Sequence, residues 1–186
     1  MSTKSTAFDE SRIVALLKEA TTRESAFSAI VREYDKALYW QIRRMVLSHD
    51  DANDLLQSTF LKAWTGIDTF RGNSRIYTWL YRIAINETLT FLSKSRNNTF
   101  SIDTPEGEIA HNLESDAYFE GDHADALFNE AIARLPDKQR LVFNMKYFDD
   151  MKYEEISEIT GTSIGALKAS YHIAVKKIEE FLEGKL

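Results

Sequence analysis

KYEEISEITGTSIGALKASYHIAVKKI, residues 152–178, carries two helical periods separated by a single glycine. Ile156 and Ile159 face one side of the first. Beyond the break, Leu167, Tyr171, Ala174, Val175 and Ile178 recur at spacings of three and four. Gly161 can take the positive φ of a sharp turn, Ser157 is small where the helices cross, and Ser163 can cap the second helix. The pattern predicts a helix-turn-helix. Its outer face, near the start of the second helix, holds Ser163, Ile164, Gly165, Ala166, Lys168, Ala169 and His172. That is where a recognition helix meets base edges. A plain helical hairpin would show the same spacing, and only Lys168, Lys176 and Lys177 supply positive charge along this helix.

The pattern stays helical on both sides. Residues 125–135 predict one helix, and Pro136 opens another through DKQRLVFNMKYF. Toward the N-terminus, Thr22 can cap a helix on which Phe27, Ile30, Val31, Tyr34, Leu38, Ile42 and Met45 share a face. Asp50 or Asp51 can open the next, with Leu55, Leu56, Phe60, Ala63, Trp64 and Ile67 along one side. Ser74 can cap a helix from residue 75 to about residue 93, and a short helix over residues 11–20 completes a four-helix bundle. The fold class expected is all-α: an N-terminal helical bundle over residues 1–96, an acidic linker over 97–124, and a helix-turn-helix domain over 125–186.

Composition agrees. Seven glycines and two prolines among 186 residues suit helices and short turns. No apolar run reaches the roughly 18 residues of a membrane span, and no signal peptide is visible, so a cytoplasmic protein is expected. Without cysteine there is no disulfide and no thiolate chemistry. The net charge of −6 is unevenly spread: residues 97–133 hold nine acidic and no basic side chains, whereas residues 32–96 hold ten basic and seven acidic. A local field steers a ligand and a sum does not, so the total does not exclude nucleic acid.

Residues 70–86, FRGNSRIYTWLYRIAIN, combine cations and flat rings. A solvated helix does not need Tyr77, Trp79 and Tyr81, and a buried one does not need Arg71, Arg75 and Arg82. Melted nucleic acid needs both, since phosphates take cations and unstacked bases take aromatic faces. Arg82, Asn86 and Thr90 fall at i, i+4 and i+8 and share one edge. The polar turn Arg71-Gly72-Asn73-Ser74 lies just upstream.

Two blocks, DANDLLQSTFLKAW…FRGNSRIYTWLYRIAIN and LPDKQRLVFNMKYFDDMKYEEISEITGTSIGALKASYHIAVKKI, resemble the extracytoplasmic-function (ECF) sigma factors, subunits of bacterial RNA polymerase. The resemblance implies a first domain that melts and reads the minus-ten promoter element and a second that reads the minus-thirty-five element. It implies core RNA polymerase as partner, through its clamp and flap elements, together with promoter DNA as duplex and melted strand. An anti-sigma factor is a further possible partner; membrane insertion and cofactors are not expected. The family's clamp-binding motif falls on Asp54, Leu55, Gln57, Phe60 and Leu61. Its base-capturing loop falls on Phe70, Arg71, Gly72, Asn73 and Ser74, and its reading asparagine on Asn86; the residue pattern above adds Trp79 and Arg82 to this minus-ten set. Two departures stand out. Ser58 replaces a usual glutamate, and Ser170, Ile173 and Val175 stand where recognition helices of the family usually carry arginine.

The alternative function is a free-standing helix-turn-helix regulator, which leaves the aromatic and basic face of the first domain unexplained. An enzyme is not expected. His49, His111, His123 and His172 are scattered over different segments, with no pair spaced to hold a metal on one helix face.

Overall fold

The computed structural model describes residues 8–46, 48–70, 72, 74–98 and 123–185. Eight α-helices make up the described residues, with no strand among them. They are α1 (Glu10–Leu17), α2 (Arg23–Val46), α3 (His49–Thr65), α4 (Ile76–Asn98), α5 (His123–Ala133), α6 (Asp137–Tyr147), α7 (Tyr153–Thr160) and α8 (Ile164–Glu183). A 3-10 turn at Ile67–Thr69 ends the α3 segment. None of these helices is long and apolar enough to cross a membrane.

The first helical unit packs α2, α3 and α4 around Ile30, Leu38, Ile42, Leu55, Ile76, Leu80 and Ile85. Ala26, Ala52, Ala63 and Ala84 are at most 1% exposed, and their small side chains let the helix axes approach. Two threonines inside this core satisfy their hydroxyls on their own helices, Thr59 on Leu55 O and Thr88 on Ala84 O. The helix ends differ from the sequence expectation in instructive ways. Ser48 caps α3, accepting from the Asp51 N–H, so the helix starts before Asp50. Thr22 directs its hydroxyl to Leu16 O at 2.7 Å, tying α1 to the start of α2. The carboxylate of Glu10, on α1, accepts the N–H of Ile76 and so occupies the start of α4 in place of Ser74. α4 has no acid in its own first turn, and a carboxylate from elsewhere complements the positive end of its dipole. α4 also runs to Asn98, past the end expected near residue 93.

In the second unit α5 and α6 pack on α8. Arg140 is buried and donates to Ala133 O at 3.0 Å, satisfying a carbonyl at the C-terminal end of α5. Phe143 stacks on Tyr147 and on Tyr171, giving this core a ladder of rings. Asp150 takes positive φ (48°) in the turn that follows α6, a conformation that aspartate tolerates better than most residues. Gly161 makes the helix-turn-helix turn at φ 69°, and Ser163 accepts from the Ala166 N–H to cap α8, both as the sequence suggests. The two units touch: α2 packs on α6, and α4 on α7.

Candidate nucleic-acid and polymerase interfaces

On α4 the core takes Leu80, Ala84, Ile85 and Thr88, which leaves Arg82, Asn86 and Thr90 on one exposed edge. Upstream, the half-buried ring of Trp79 lies 5.0 Å from Phe70, centroid to centroid, and the two rings, tilted 38° to one another, form an aromatic shelf beside the loop. Gly72 holds φ 73° there, with Val14 of α1 beneath it. A cleft of about 620 Å³ opens between Glu10, Val14, Gly72, Ser74, Arg75 and, from the second unit, Glu158. Arg71 and Asn73 lie outside the described residues.

Two expected rings, Tyr77 and Tyr81, are not at this surface. Tyr81 is 2% exposed and its ring lies tilted against that of Tyr77, 4.2 Å between centroids. Burial pushes the Tyr81 phenol far above its ordinary pKa and that of Tyr77 up to about 12. Both belong to the packing between the units rather than to a stacking platform for bases. The reason is angular, because side chains two apart on a helix diverge by about 200°. Trp79 and Tyr81 therefore cannot face the same ligand.

α3 presents the second candidate surface. Its groove, about 560 Å³, is lined by Glu24, Phe27, Ser28, Gln57, Phe60, Leu61 and Trp64. Leu61 is 63% exposed and Trp64 38%. Phe27 anchors the floor edge-on to Phe60 and Trp64. Asp54 and Gln57 are exposed beside it. Leu55, expected in this set, is 7% exposed and belongs to the core, because the helical turn that exposes Gln57 and Leu61 points it inward. Sequence reasoning missed Phe27 and Trp64 as surface residues and assigned both to the core stripe. The neighbours Phe60 and Leu61 were the available signal, since two adjacent apolar residues widen a stripe beyond what one core face can cover. Ser58, at the departure from the family pattern, donates to Glu87 of α4 at 3.2 Å, and Lys62 pairs with the same carboxylate.

On α8 the inward residues Leu167, Ala174 and Ile178 are buried, with Tyr171 and Val175 half-buried. Ser163, Gly165, Ala166, Lys168, Ala169 and His172 are exposed and Ile164 half-buried, so the predicted outer face exists as one surface. The Lys168 ammonium sits 5.7 Å from the centre of the Tyr153 ring. Where the family usually has arginine, Ser170 is half-buried and Ile173 is 45% exposed. His49 is engaged by Tyr39 and Asn53 through its two ring nitrogens. His111 and the side chain of His123 lie outside the described residues.

Residues 30–98 match the family profile Sigma-70 region 2, and residues 126–178 match Sigma-70, region 4. The ECF RNA polymerase sigma factor SigW of Bacillus subtilis is 31% identical over 158 residues, covering 80% of this chain and 84% of that protein. The RNA polymerase sigma-H factor of Pseudomonas aeruginosa is 29% identical over 175 residues, covering 85% and 86%. Among solved structures, the sigma factor RpoE from Bartonella quintana, in complex with the anti-sigma factor NepR, is similar at a TM-score of 0.63. That match has 25% identity and covers 84% of this chain and 96% of that one. CnrH, in complex with the cytosolic domain of CnrY, shares the fold at a TM-score of 0.68 and 23% identity, over 96% of this chain and all of that one.

Proposed function

The chain belongs to the ECF RNA polymerase sigma factors, and from that premise we propose how its surfaces divide the work of promoter recognition. The groove on α3 seats on core polymerase, through the clamp. The edge Arg82–Asn86–Thr90, with the Phe70–Trp79 shelf and the loop over residues 70–74, holds the melted minus-ten strand. The outer face of α8 enters the major groove at the minus-thirty-five element. The observation that carries this reading is the exposed polar edge of α4 beside an aromatic shelf and an open cleft, since duplex binding alone requires none of the three. Selective transcription in vitro, with core polymerase and fragments of a bacterial genome, tests it. Promoter-specific transcripts that depend on the chain support the reading; duplex binding without transcripts supports a free-standing regulator instead.

Gln57 separates binding from folding. It is exposed at the rim of the groove, so Gln57→Ala is expected to lower affinity for core polymerase by about 1 kcal/mol with no change in melting temperature. Unchanged affinity removes Gln57 from the interface.

Lys168 addresses the duplex contact. With Ser170, Ile173 and Val175 in place of arginines, few cations anchor α8, and each one left should matter more. Lys168→Ala is expected to weaken binding of a minus-thirty-five duplex and to flatten its salt dependence by about one unit of slope. Binding to a pre-opened minus-ten bubble should not change. If the slope is unaltered, α8 docks by shape and apolar contact through Ile164 and Ala166.

A further inference from the structure

α1 lies before the residues that match Sigma-70 region 2, yet one of its faces backs the loop assigned to the melted strand. Glu10, Val14 and Leu17 stand at i, i+4 and i+7 and so share that face. Glu10 accepts the Ile76 N–H at the downstream end of the loop and lies 3.6 Å from Arg75 Nε. Val14 sits beneath Gly72, its Cγ1 3.7 Å from where a Cβ would stand. Leu17 is 6% exposed and, with Val14, walls a cavity of about 400 Å³ that Ile67, Asp68 and Phe70 also line, at the upstream end. One short helix therefore bears on the loop at both ends and in the middle.

The start of α4 does not hold itself. The Trp79 N–H donates to Arg75 O, which makes Arg75 the residue that opens the helix. A guanidinium has no acceptor with which to cap an N–H, and its charge opposes the positive end of the helix dipole. Nor is there an acid in the first turn of α4. Glu10 offsets both defects: one carboxylate oxygen takes the Ile76 N–H and the other faces Arg75. The Arg75 side chain remains 70% exposed, and with Nε turned to Glu10 its terminal nitrogens are open to a phosphate.

α1 is itself pinned. An isolated helix of eight residues does not persist in water, so its order comes from its neighbours. Asp9 caps its start, accepting the Arg12 N–H at 3.1 Å. At its end the Thr22 hydroxyl donates to Leu16 O at 2.7 Å and Arg23 Nε to Leu17 O at 3.0 Å. Arg23 also reaches Asp68, two residues before Phe70, at 2.9 Å. The same arginine thus ties the end of α1 to the turn that enters the loop.

We propose that α1 is a template for the minus-ten loop. Glu10 caps α4 from outside and aims Arg75 at a phosphate of the melted strand, and Val14 sets the height of Gly72. Glu10 and Val14 are positioning residues, and Arg75 is a strand contact. The proposal rests on the reading of α4 and this loop as the melted-strand surface.

The template and a plain electrostatic field predict opposite signs for Glu10. Removing a negative charge beside a polyanion tightens binding if only the field matters. Losing the cap and the orientation of Arg75 weakens it. The measurement is the affinity of the holoenzyme, core polymerase with the full-length chain, for a pre-opened minus-ten bubble from a promoter found by selective transcription. Glu10→Ala should weaken binding about five- to tenfold, the range of a lost helix cap. Glu10→Gln keeps an oxygen for the Ile76 N–H and should recover most of that loss. Arg75→Ala should weaken binding and flatten its salt dependence by about one unit of slope. In the Glu10→Ala background it should add little, because an arginine no longer aimed contributes little. Val14→Ala should give a smaller loss with no change of charge. 2-Aminopurine placed in turn at each base of the bubble should report the Glu10→Ala and Val14→Ala changes at the same position, distinct from the one that responds to Asn86→Ala.

Tighter or unchanged binding by Glu10→Ala overturns the template. A Glu10→Gln chain no better than Glu10→Ala overturns the cap, and additive losses from Glu10→Ala and Arg75→Ala overturn the aiming of Arg75. Changes spread over every base, with affinity for core polymerase also lost, make α1 a part of the core and overturn the template as well. If circular dichroism shows that Glu10→Ala loses its helices, Val14→Ala decides in its place, and wild-type binding by that chain overturns the proposal. Arg82→Ala and Asn86→Ala guard the underlying reading. If they too bind the bubble like wild type, that reading falls; if they are impaired and the α1 variants are not, the template alone falls.

Discussion

Replacing Leu61 with aspartate is expected to weaken binding to core polymerase by about 2 kcal/mol, roughly 30-fold, and to leave the melting temperature unchanged. Leu61 is 63% exposed, the most exposed apolar side chain on the described groove, and it contributes little to the core beneath it. A charge at such a position normally costs a folded domain less than about half a kcal/mol. Seated in a complex, the same carboxylate would lose its water without a partner among Phe27, Phe60 and Trp64. The difference between those two environments is the predicted loss of affinity. Trp64 is a less clean test, because its ring also packs on Phe27 at 5.1 Å and its removal would loosen the first helical unit. Core-binding titrations and a thermal melt on the Leu61→Asp chain decide the matter. Full affinity would move the polymerase contact off α3, and a lowered melting temperature would mean that Leu61 is structural.

The same exposure explains what could and could not be read from sequence. Each helix was legible because its apolar residues recur every three or four positions, and the helix-turn-helix was legible down to Gly161 and Ser163, which act within a few residues of themselves. The ends of α2 and α4 were not. Their terminal groups are satisfied by residues distant in the chain or by a neighbouring helix: Glu10 serves Ile76 across 66 positions, and Thr22 turns back to Leu16. Surface membership was legible only where spacing fixed it. Arg82, Asn86 and Thr90 share an edge as any i, i+4, i+8 set must. Leu55 and Tyr81 were placed by type and motif, and the helical turn puts both inside. The contact between the units was illegible altogether. Arg44 and Asp149 are 105 positions apart, and neither belongs to a pattern that calls for the other.

Asn86→Ala should impair promoter opening by about 1–3 kcal/mol, roughly 5- to 150-fold, while sparing the fold and polymerase binding. Asn86 lies one turn beyond Arg82 on the exposed edge, outside the core that Ala84, Ile85 and Thr88 build. Its amide offers a donor and an acceptor side by side, an arrangement that can pair with the edge of an unstacked base. Arg82 differs in kind, for a guanidinium so placed neutralises phosphate and carries little sequence information. The two substitutions should therefore part company. Arg82→Ala should weaken opening at every promoter and make it less sensitive to salt. Asn86→Ala should leave the salt dependence alone and weaken the discrimination among bases at one position of the minus-ten element. Permanganate footprinting of open complexes across a panel of single-base promoter variants measures both. If Asn86→Ala opens every promoter as well as wild type, Asn86 reads no base. If its defect is uniform across the panel, it holds the strand by its backbone, and the specificity of this surface must come from the loop over residues 70–74.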